Sequence, residues 1–137
     1  MYKYQNSQIE FENLIRNRIA PFDDVPVIFT SVINKQRIYK ALEAAHEVFN
    51  NRKRKIATSV LNDTLLPIIK ATPPPMSKGK MIKIKYITQL KTDFPAFVFF
   101  TNLPQYIKDP YKRFLENQMR KHFIFTGVPI EVYIRQK

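Results

Sequence analysis

The sequence predicts an α/β fold of the α+β kind, in which a helix-strand-helix segment precedes a small domain of three strands and two helices. Apolar and polar residues alternate over residues 82–90 and 130–135, and residues 25–30 and 97–101 are almost continuously apolar. Both patterns are typical of β-strands. Apolar residues recur near every 3.6 positions in four other stretches, as in amphipathic helices. From residue 56 the order is α-β-β-α-β, which can close as a three-stranded sheet with two helices on one face.

The stretch from Gly79 to Asn102 predicts a basic β-hairpin. Its first arm alternates, with one set of side chains expected in the core and the other in solvent. The core set is Ile82, Ile84, Tyr86, Thr88 and Leu90, and the solvent set is Lys83, Lys85 and Gln89. The second arm, Phe97 to Thr101, is apolar at nearly every position, so we expect it to be buried more deeply. Lys91 to Pro95 supply the turn.

Residues 1–50 predict a helix, a buried strand and a second helix. The first helix covers residues 5 to about 18 and stops before Pro21, and Val25 to Thr30 form the strand. The second helix reaches about Asn50, with Asn34 as its predicted cap. One strand between two helices, with no partner strand, is the pattern left at the end of a doubly wound α/β domain.

Two further helices and a last strand frame the hairpin. One helix begins at Thr58, its predicted cap, and Pro67 is expected to bend it or end it early. The other begins at Asp109-Pro110, a capping carboxylate followed by proline in the first turn. Pro129 to Arg135 alternate again and predict the third strand.

The positive charge of the chain is concentrated in its second part. The 137 residues carry a net charge of +12; residues 1–50 hold six Lys or Arg and six Asp or Glu, whereas residues 51–137 hold 17 and five. A field of this sign attracts polyanions, so we expect a nucleic-acid partner. The absence of cysteine, of a long apolar run and of a secretory leader predicts a cytoplasmic protein without a membrane partner.

Catalytic and metal sites are not predicted. With only two glycines the chain cannot contain a phosphate-binding loop, and its two histidines are not spaced as in catalytic or zinc motifs. Asp23-Asp24 precede the first strand and are interpreted as turn residues. The phenylalanines of the second arm, Phe97, Phe99 and Phe100, suit either base stacking or a hydrophobic core, and the core is the favoured interpretation.

Several short motifs, in order and at matching spacing, resemble one family from Pro26 to the end of the chain, about four-fifths of it. The motifs are Pro26-Val27-Ile28-Phe29-Thr30-Ser31-Val32, Gln36-Arg37-Ile38, Thr58, Leu61-Asn62, Pro73-Pro74-Pro75, Gly79-Lys80, Lys83-Ile84-Lys85-Tyr86, Thr88-Gln89, Pro95, Phe97, Phe100, Asn102, Tyr111-Lys112-Arg113-Phe114-Leu115-Glu116-Asn117 and Gly127-Val128-Pro129. They resemble the C-terminal part of the Der (EngA) family, bacterial GTPases with two tandem GTP-binding domains followed by a KH-like domain.

The resemblance implies that residues 1–50 are the end of the second GTP-binding domain and that residues 51–137 are the KH-like domain. Ser31 and Val32 would match the last guanine-contact motif, with valine where the family usually has alanine. The phosphate loop, the magnesium ligands and the base-reading motif are missing, so the resemblance implies a non-enzymatic chain. GTP and Mg²⁺ would bind elsewhere in the full-length protein, and neither is expected here.

The resemblance also implies a role in assembly of the large ribosomal subunit through ribosomal RNA. The domain lacks the G-x-x-G loop of ordinary KH domains, so basic side chains are expected to hold the RNA phosphates. The candidates are Lys80, Lys83, Lys85, Lys91, Arg113 and Arg120. The rival hypothesis is a protein-interaction module that docks on the protein's own GTP-binding domains and relays their nucleotide state. The chain is expected to be a monomer.

Overall fold

A three-stranded mixed sheet is the centre of the larger of two structural units. The computed structural model describes residues 2–20 and 22–137. The first unit comprises the described residues up to Asn51 together with Thr126–Val128, and the second comprises Arg52–Phe125 and Pro129–Lys137.

The sheet has the order β1-β2-β3, with β1 at Ile84–Gln89, β2 at Ala96–Thr101 and β3 at Glu131–Gln136. β1 and β2 are antiparallel, as expected of a hairpin, whereas β2 and β3 are parallel. A parallel pair needs a crossover connection, and the helix between β2 and β3 supplies it. The predicted α+β fold is therefore confirmed.

The described residues form four α-helices: α1 at Tyr2–Ile19, α2 at Ile38–Lys53, α3 at Thr58–Ala71 and α4 at Asp109–His122. A single 3₁₀ turn, Pro104–Tyr106, precedes α4. Both α3 and α4 bury residues spaced four apart, so each presents one continuous stripe. These residues are Leu61, Leu65 and Ile69 in α3 and Tyr111, Leu115 and Met119 in α4. They form one core with Ile87, Phe97 and Phe99 of the sheet.

The helix α3 differs from its prediction at its start, Thr58, and at Pro67. It runs through Pro67 to Ala71, so the expected early end is wrong. Proline removes one backbone donor, but Leu65 and Ile69 on either side of it are both buried, and their packing offsets that loss. The cap is Ala57, in extended conformation, and Thr58 is the first helical residue.

The first arm of the hairpin contains a bulge that breaks the predicted alternation. Ile84 pairs with Thr101 and Tyr86 with Phe100, so Lys85 is an extra residue with no partner on β2. Ile82 and Ile84 are buried as predicted, but the next buried residue is Ile87, and Tyr86 is exposed. The prediction that Tyr86 and Thr88 face the core is therefore wrong, because both lie on the side of β1 opposite to Ile87. Leu90 is half-buried and lies outside that core. The second arm is buried as predicted, with Ala96 to Phe99 fully inaccessible.

Side-chain amides join β1 to the chain beside it. Asn62 of α3 pairs with both backbone groups of Ile87: its Oδ1 accepts from the N–H at 2.9 Å, and its Nδ2 donates to the carbonyl at 2.9 Å. Gln89 accepts from the N–H of Ile56 at 2.7 Å and donates to the carbonyl of Arg54 at 3.0 Å. The Asn62 amide therefore satisfies backbone groups of β1 itself, and the Gln89 amide satisfies those of the segment before α3.

The first unit contains the two predicted helices but not the predicted strand. Val25 to Thr30 form no ladder, and the pairing recorded nearby is one isolated bridge between Ser31 and Gln36. A strand is stable only with a partner, and none lies beside this segment in the described part of the chain. The Arg16 guanidinium instead donates to the carbonyls of Asp23 and Val25. The predicted stop at Pro21 lies outside the described residues.

The predicted cap of α2 is also wrong. The helix begins at Ile38, four residues after Asn34, and Arg37 immediately before it has a positive φ of 59°. The N–H of Asn34 instead donates to the Oγ of Ser31 at 3.3 Å within a turn. Asn34 therefore belongs to the turn that precedes the helix.

Replacing Asn62 by alanine tests the link between α3 and β1. The variant leaves the buried N–H and C=O of Ile87 unpaired, and we expect it to lower the free energy of unfolding by about 2–4 kcal/mol. Asn117→Ala is the matched control because Asn117 is exposed on α4, and we expect it to change stability by less than about 0.5 kcal/mol. Urea denaturation measures both. Equal stability of the two variants would contradict the assigned pairing.

The buried phenol of Tyr111 should make the chain less stable at high pH. Burial raises the pKa of its phenol to about 12, and its hydroxyl donates to the carbonyl of Thr72 at 2.8 Å. The unfolded chain loses this proton near pH 10, so the contribution of Tyr111 is complete below pH 10 and is lost as the pH rises towards 12.

We therefore expect Tyr111→Phe to be less stable than the parent by about 1 kcal/mol below pH 10, and the gap to shrink above pH 10. Urea denaturation from pH 8 to pH 11.5 measures this gap. Tyr39→Phe, at a tyrosine that is 82% exposed, is the control and should give a constant difference. A Tyr111→Phe gap that stays constant to pH 11.5 would rule out this role.

Candidate nucleic-acid interface

The segment from Met76 to Lys91 carries five lysines and no acidic residue. It opens with a tight turn in which the backbones of Ser77 and Lys80 pair in both directions, at 2.9 and 3.2 Å. The two central residues, Lys78 and Gly79, both have positive φ, as a type I′ turn requires. The Nζ of Lys78 lies 5.8 Å from the ring centre of Tyr106, and Lys80 is exposed. The turn therefore presents two cations on a fixed backbone.

Hydrogen bonds fix the backbone of Lys83, and its exposed side chain can contact a ligand. Its N–H donates to Oδ1 of Asn102 at 2.9 Å, and its carbonyl accepts from Oγ1 of Thr101 at 2.9 Å. The Asn102 amide also donates to the carbonyl of Met81 at 3.1 Å. The side chains of Lys83 and of Lys85, at the bulge, are both exposed. Lys80, Lys83 and Lys85 therefore form one exposed basic stretch, which we call the hairpin lysines.

The other three candidates lie elsewhere. Lys91 is exposed beyond the opposite end of β1, which for six residues is about 20 Å long. Arg113 is exposed on α4, in the helical layer. Arg120 is largely enclosed: its Nε lies 3.5 Å from the Glu116 carboxylate, and it donates to the carbonyl of Phe125 at 3.2 Å. These contacts give Arg120 a structural role in this unit.

The favoured interpretation of the phenylalanines holds for two of the three. Phe97 and Phe99 are fully buried in the core, and Phe97 contacts Phe125 edge-on at 5.8 Å between ring centres. Phe100 lies on the opposite face of the sheet, beside Tyr86 at 5.9 Å between ring centres. Neighbouring residues of a strand face opposite sides of the sheet, so Phe100 lies opposite Phe99. The sequence offered no signal that Tyr86 would lie beside Phe100.

Sequence reasoning missed two cations on the same outer face. Arg135 of β3 pairs in register with Phe100, and the Nζ of Lys137 lies 5.5 Å from the ring centre of Tyr86. The alternation of β3 placed Arg135 on the outer side. Arg135 lies next to Phe100 only because β3 pairs with β2. Local periodicity does not reveal strand order, so the sequence could not predict this pair.

Ser31 and Val32 lie in a turn of the first unit. Ser31 pairs through its backbone with Gln36 at 3.0 and 3.3 Å, and its Oγ accepts from Asn34. Val32 projects into solvent, with 82% of its surface exposed. Their predicted contact with a guanine base stays a prediction.

An apolar groove borders the hairpin lysines. Its volume is about 580 Å³, and its lining includes Leu66, Ile69, Pro74, Met81 and Lys83. Met76 and Met81 are 64% and 59% exposed. Flexible, exposed methionines of this kind are common at surfaces that bind other proteins.

No helix of the described residues is both long and apolar enough to cross a membrane. No three acidic or histidine side chains in that part of the chain are grouped so that they could hold a metal ion.

Comparison with known proteins places the chain in a family. Residues 55–135, more than half of the chain, match the KH-domain-like model of the C-terminal part of EngA bacterial GTPase enzymes. The proteins named GTPase Der from Bacteroides thetaiotaomicron and Porphyromonas gingivalis are 61% and 58% identical to it over 129 and 127 residues, 93% of this chain in each case. GTPase Der of Christiangramia forsetii is 54% identical over 135 residues, or 98% of the chain.

The chain spans about 30% of the length of these relatives. The matched family model and the three-stranded mixed sheet agree with the predicted KH-like architecture. The chain therefore belongs to the EngA family of bacterial GTPases and contains its C-terminal KH-like domain.

Proposed function

We propose that this chain is the RNA-binding part of a GTPase that acts in assembly of the large ribosomal subunit. The observation that carries the proposal is the set of hairpin lysines, which are exposed, have no acidic neighbour in sequence and lie on a backbone held by turn and side-chain hydrogen bonds. Such a surface suits phosphate oxygens, which fix position without reading sequence. Ribosomal RNA is the polyanion that the family resemblance suggests.

The remainder of the full-length protein would supply GTP binding and hydrolysis, with Mg²⁺ as cofactor. The curated relatives are named GTPases, and this chain spans about 30% of their length. Residues 1–50 would be the end of the second GTP-binding domain, with Ser31 and Val32 at its guanine contact. The chain itself would bind rather than catalyse, as a monomer in the cytoplasm.

A second function is supported by the apolar groove. Its exposed methionines suit a protein surface, and the nearest candidate is the protein's own GTP-binding domains. In that case the KH-like domain would report nucleotide state by docking. Lys83 lines the groove as well as belonging to the hairpin lysines, so the same substitution tests both functions.

The double charge reversal Lys83→Glu with Lys85→Glu tests RNA binding directly. Loss of two phosphate contacts should weaken binding to large-subunit ribosomal RNA and should flatten the plot of log affinity against log salt by about two units. Filter binding across a salt series measures both quantities, with an RNA of unrelated sequence as the specificity control.

The matched control is Arg18→Glu with Lys40→Glu, which changes the net charge equally on exposed positions of the first unit. We expect this control to keep most of the affinity and the salt slope. An equal loss in both variants would mean a generic charge effect. Intact RNA binding in the Lys83 and Lys85 variant, together with lost docking on the GTP-binding domains, would favour the second function.

A further inference from the structure

We propose that the face of the sheet opposite the helices is a stacking platform for unpaired RNA bases, formed by Tyr86 and Phe100 and flanked by Arg135 and Lys137. The proposal rests on the proposed RNA-binding function and adds a second kind of contact to it. The hairpin lysines would hold phosphates, whereas the platform would select RNA whose bases are free to stack.

The platform is one row across all three strands. Tyr86 of β1 pairs with Phe100 of β2, and Phe100 pairs with Arg135 of β3. Paired residues of neighbouring strands project from the same face of a sheet. The two rings lie 5.9 Å apart with 33° between their planes, so together they form a continuous aromatic surface. Tyr86 is 37% exposed and Phe100 is partly exposed, so a ligand can reach both.

The bulge at Lys85 is what displays Tyr86. If the same residues formed a regular strand with Lys85 paired, strict alternation would direct Tyr86 into the core with Ile82 and Ile84. An aromatic ring that faces solvent instead of the core loses the stabilisation of apolar burial. Bulges that change the direction of a side chain are common beside functional sites. The bulge also leaves Lys85 exposed immediately before Tyr86, so a cation lies beside the platform.

Two more cations lie near the platform, Arg135 on β3 and Lys137 immediately after it. The Nζ of Lys137 lies 5.5 Å from the Tyr86 ring centre, and the Cζ of Arg135 lies 5.9 Å from the ring centre of Tyr133. Tyr133 is 38% exposed. The acidic residue of β3, Glu131, is at the other end of the strand, in register with Ala96. Positive charge and aromatic surface therefore coincide at the end of the sheet that carries Arg135 and Lys137.

This combination favours single-stranded RNA over a duplex. Every base has a flat π-face that can stack on tyrosine or phenylalanine, and nearby lysine or arginine neutralises the phosphate of the same nucleotide. In a duplex the faces of the bases are occupied by their neighbours, so a ring on a sheet cannot reach them. The hairpin lysines, by contrast, suit the phosphates of either form.

The test compares Tyr86→Leu with the parent chain, using fluorescein-labelled octauridylate and a labelled RNA duplex as probes. Leucine keeps an apolar side chain but removes the aromatic ring. We expect affinity for octauridylate to fall about 5- to 100-fold, the loss expected for one stacked base. The salt slope and duplex binding should not change. Tyr39→Leu is the matched control, at an exposed tyrosine of the first unit, and should bind like the parent.

A second measurement does not depend on the variant being folded. Stacking moves aromatic protons into the ring-current field of the base, so the ring protons of Tyr86 in the parent chain should shift upfield as octauridylate is added. Unshifted Tyr86 protons in an RNA-bound chain would overturn the platform, as would equal binding of octauridylate by the parent and Tyr86→Leu. A parent chain that binds neither probe would instead overturn the proposed function, and the platform with it.

Discussion

One extra residue in β1 determines how the second unit is built. Because Lys85 has no partner on β2, the strand changes phase between Ile84 and Tyr86. The residues before the bulge and those after it can then both supply isoleucines to the same core: Ile82 and Ile84 before it, and Ile87 after it. The bulge also sets the phase in which Ile87 meets Asn62 and Gln89 meets the segment before α3.

The two faces of the sheet consequently have different chemistry. The inner face is closed by α3 and α4, whose buried stripes pack on Ile87, Phe97 and Phe99. The outer face carries Tyr86 and Phe100. The position of the hairpin lysines is tied to the same bulge, because Lys80 and Lys83 precede it and Lys85 is the bulge residue itself. Fold and proposed interface therefore depend on a single local irregularity.

Local signals were enough to predict most elements. The 3.6-residue pattern located four helices. The Asp109-Pro110 pair marked where α4 begins, but the predicted cap is wrong, because Lys108 is the cap and Asp109 is the first helical residue. The continuous apolar run of β2 predicted that it would be buried more deeply than β1, and Ala96 to Phe99 are inaccessible. The failures have non-local causes. Val25 to Thr30 have the composition of a strand but have no partner strand among the described residues. Pro67 is tolerated because buried leucine and isoleucine side chains pack on both sides of it.

The site was predicted less completely than the fold. The lysines of the first arm are exposed as expected, but nothing in the alternating sequence marks a bulge at Lys85. Tyr86 was therefore assigned to the wrong face. The pairing of Phe100 with Arg135 depends on strand order, which periodicity does not contain. Arginine is a common phosphate ligand, but Arg120 pairs with Glu116 and donates to the carbonyl of Phe125.

Deletion of Lys85 tests the bulge most directly. Removing an unpaired residue converts β1 to a regular strand and leaves Ile84, Tyr86 and Ile87 on the faces they already occupy. The bulge therefore predicts a folded variant whose free energy of unfolding, measured by urea denaturation, lies within about 1–2 kcal/mol of the parent. Deletion of Thr88, which pairs with Val98, is the control and should disrupt the strand. If the Lys85 deletion unfolds the chain as completely as the Thr88 deletion, β1 is a regular strand and the account is wrong.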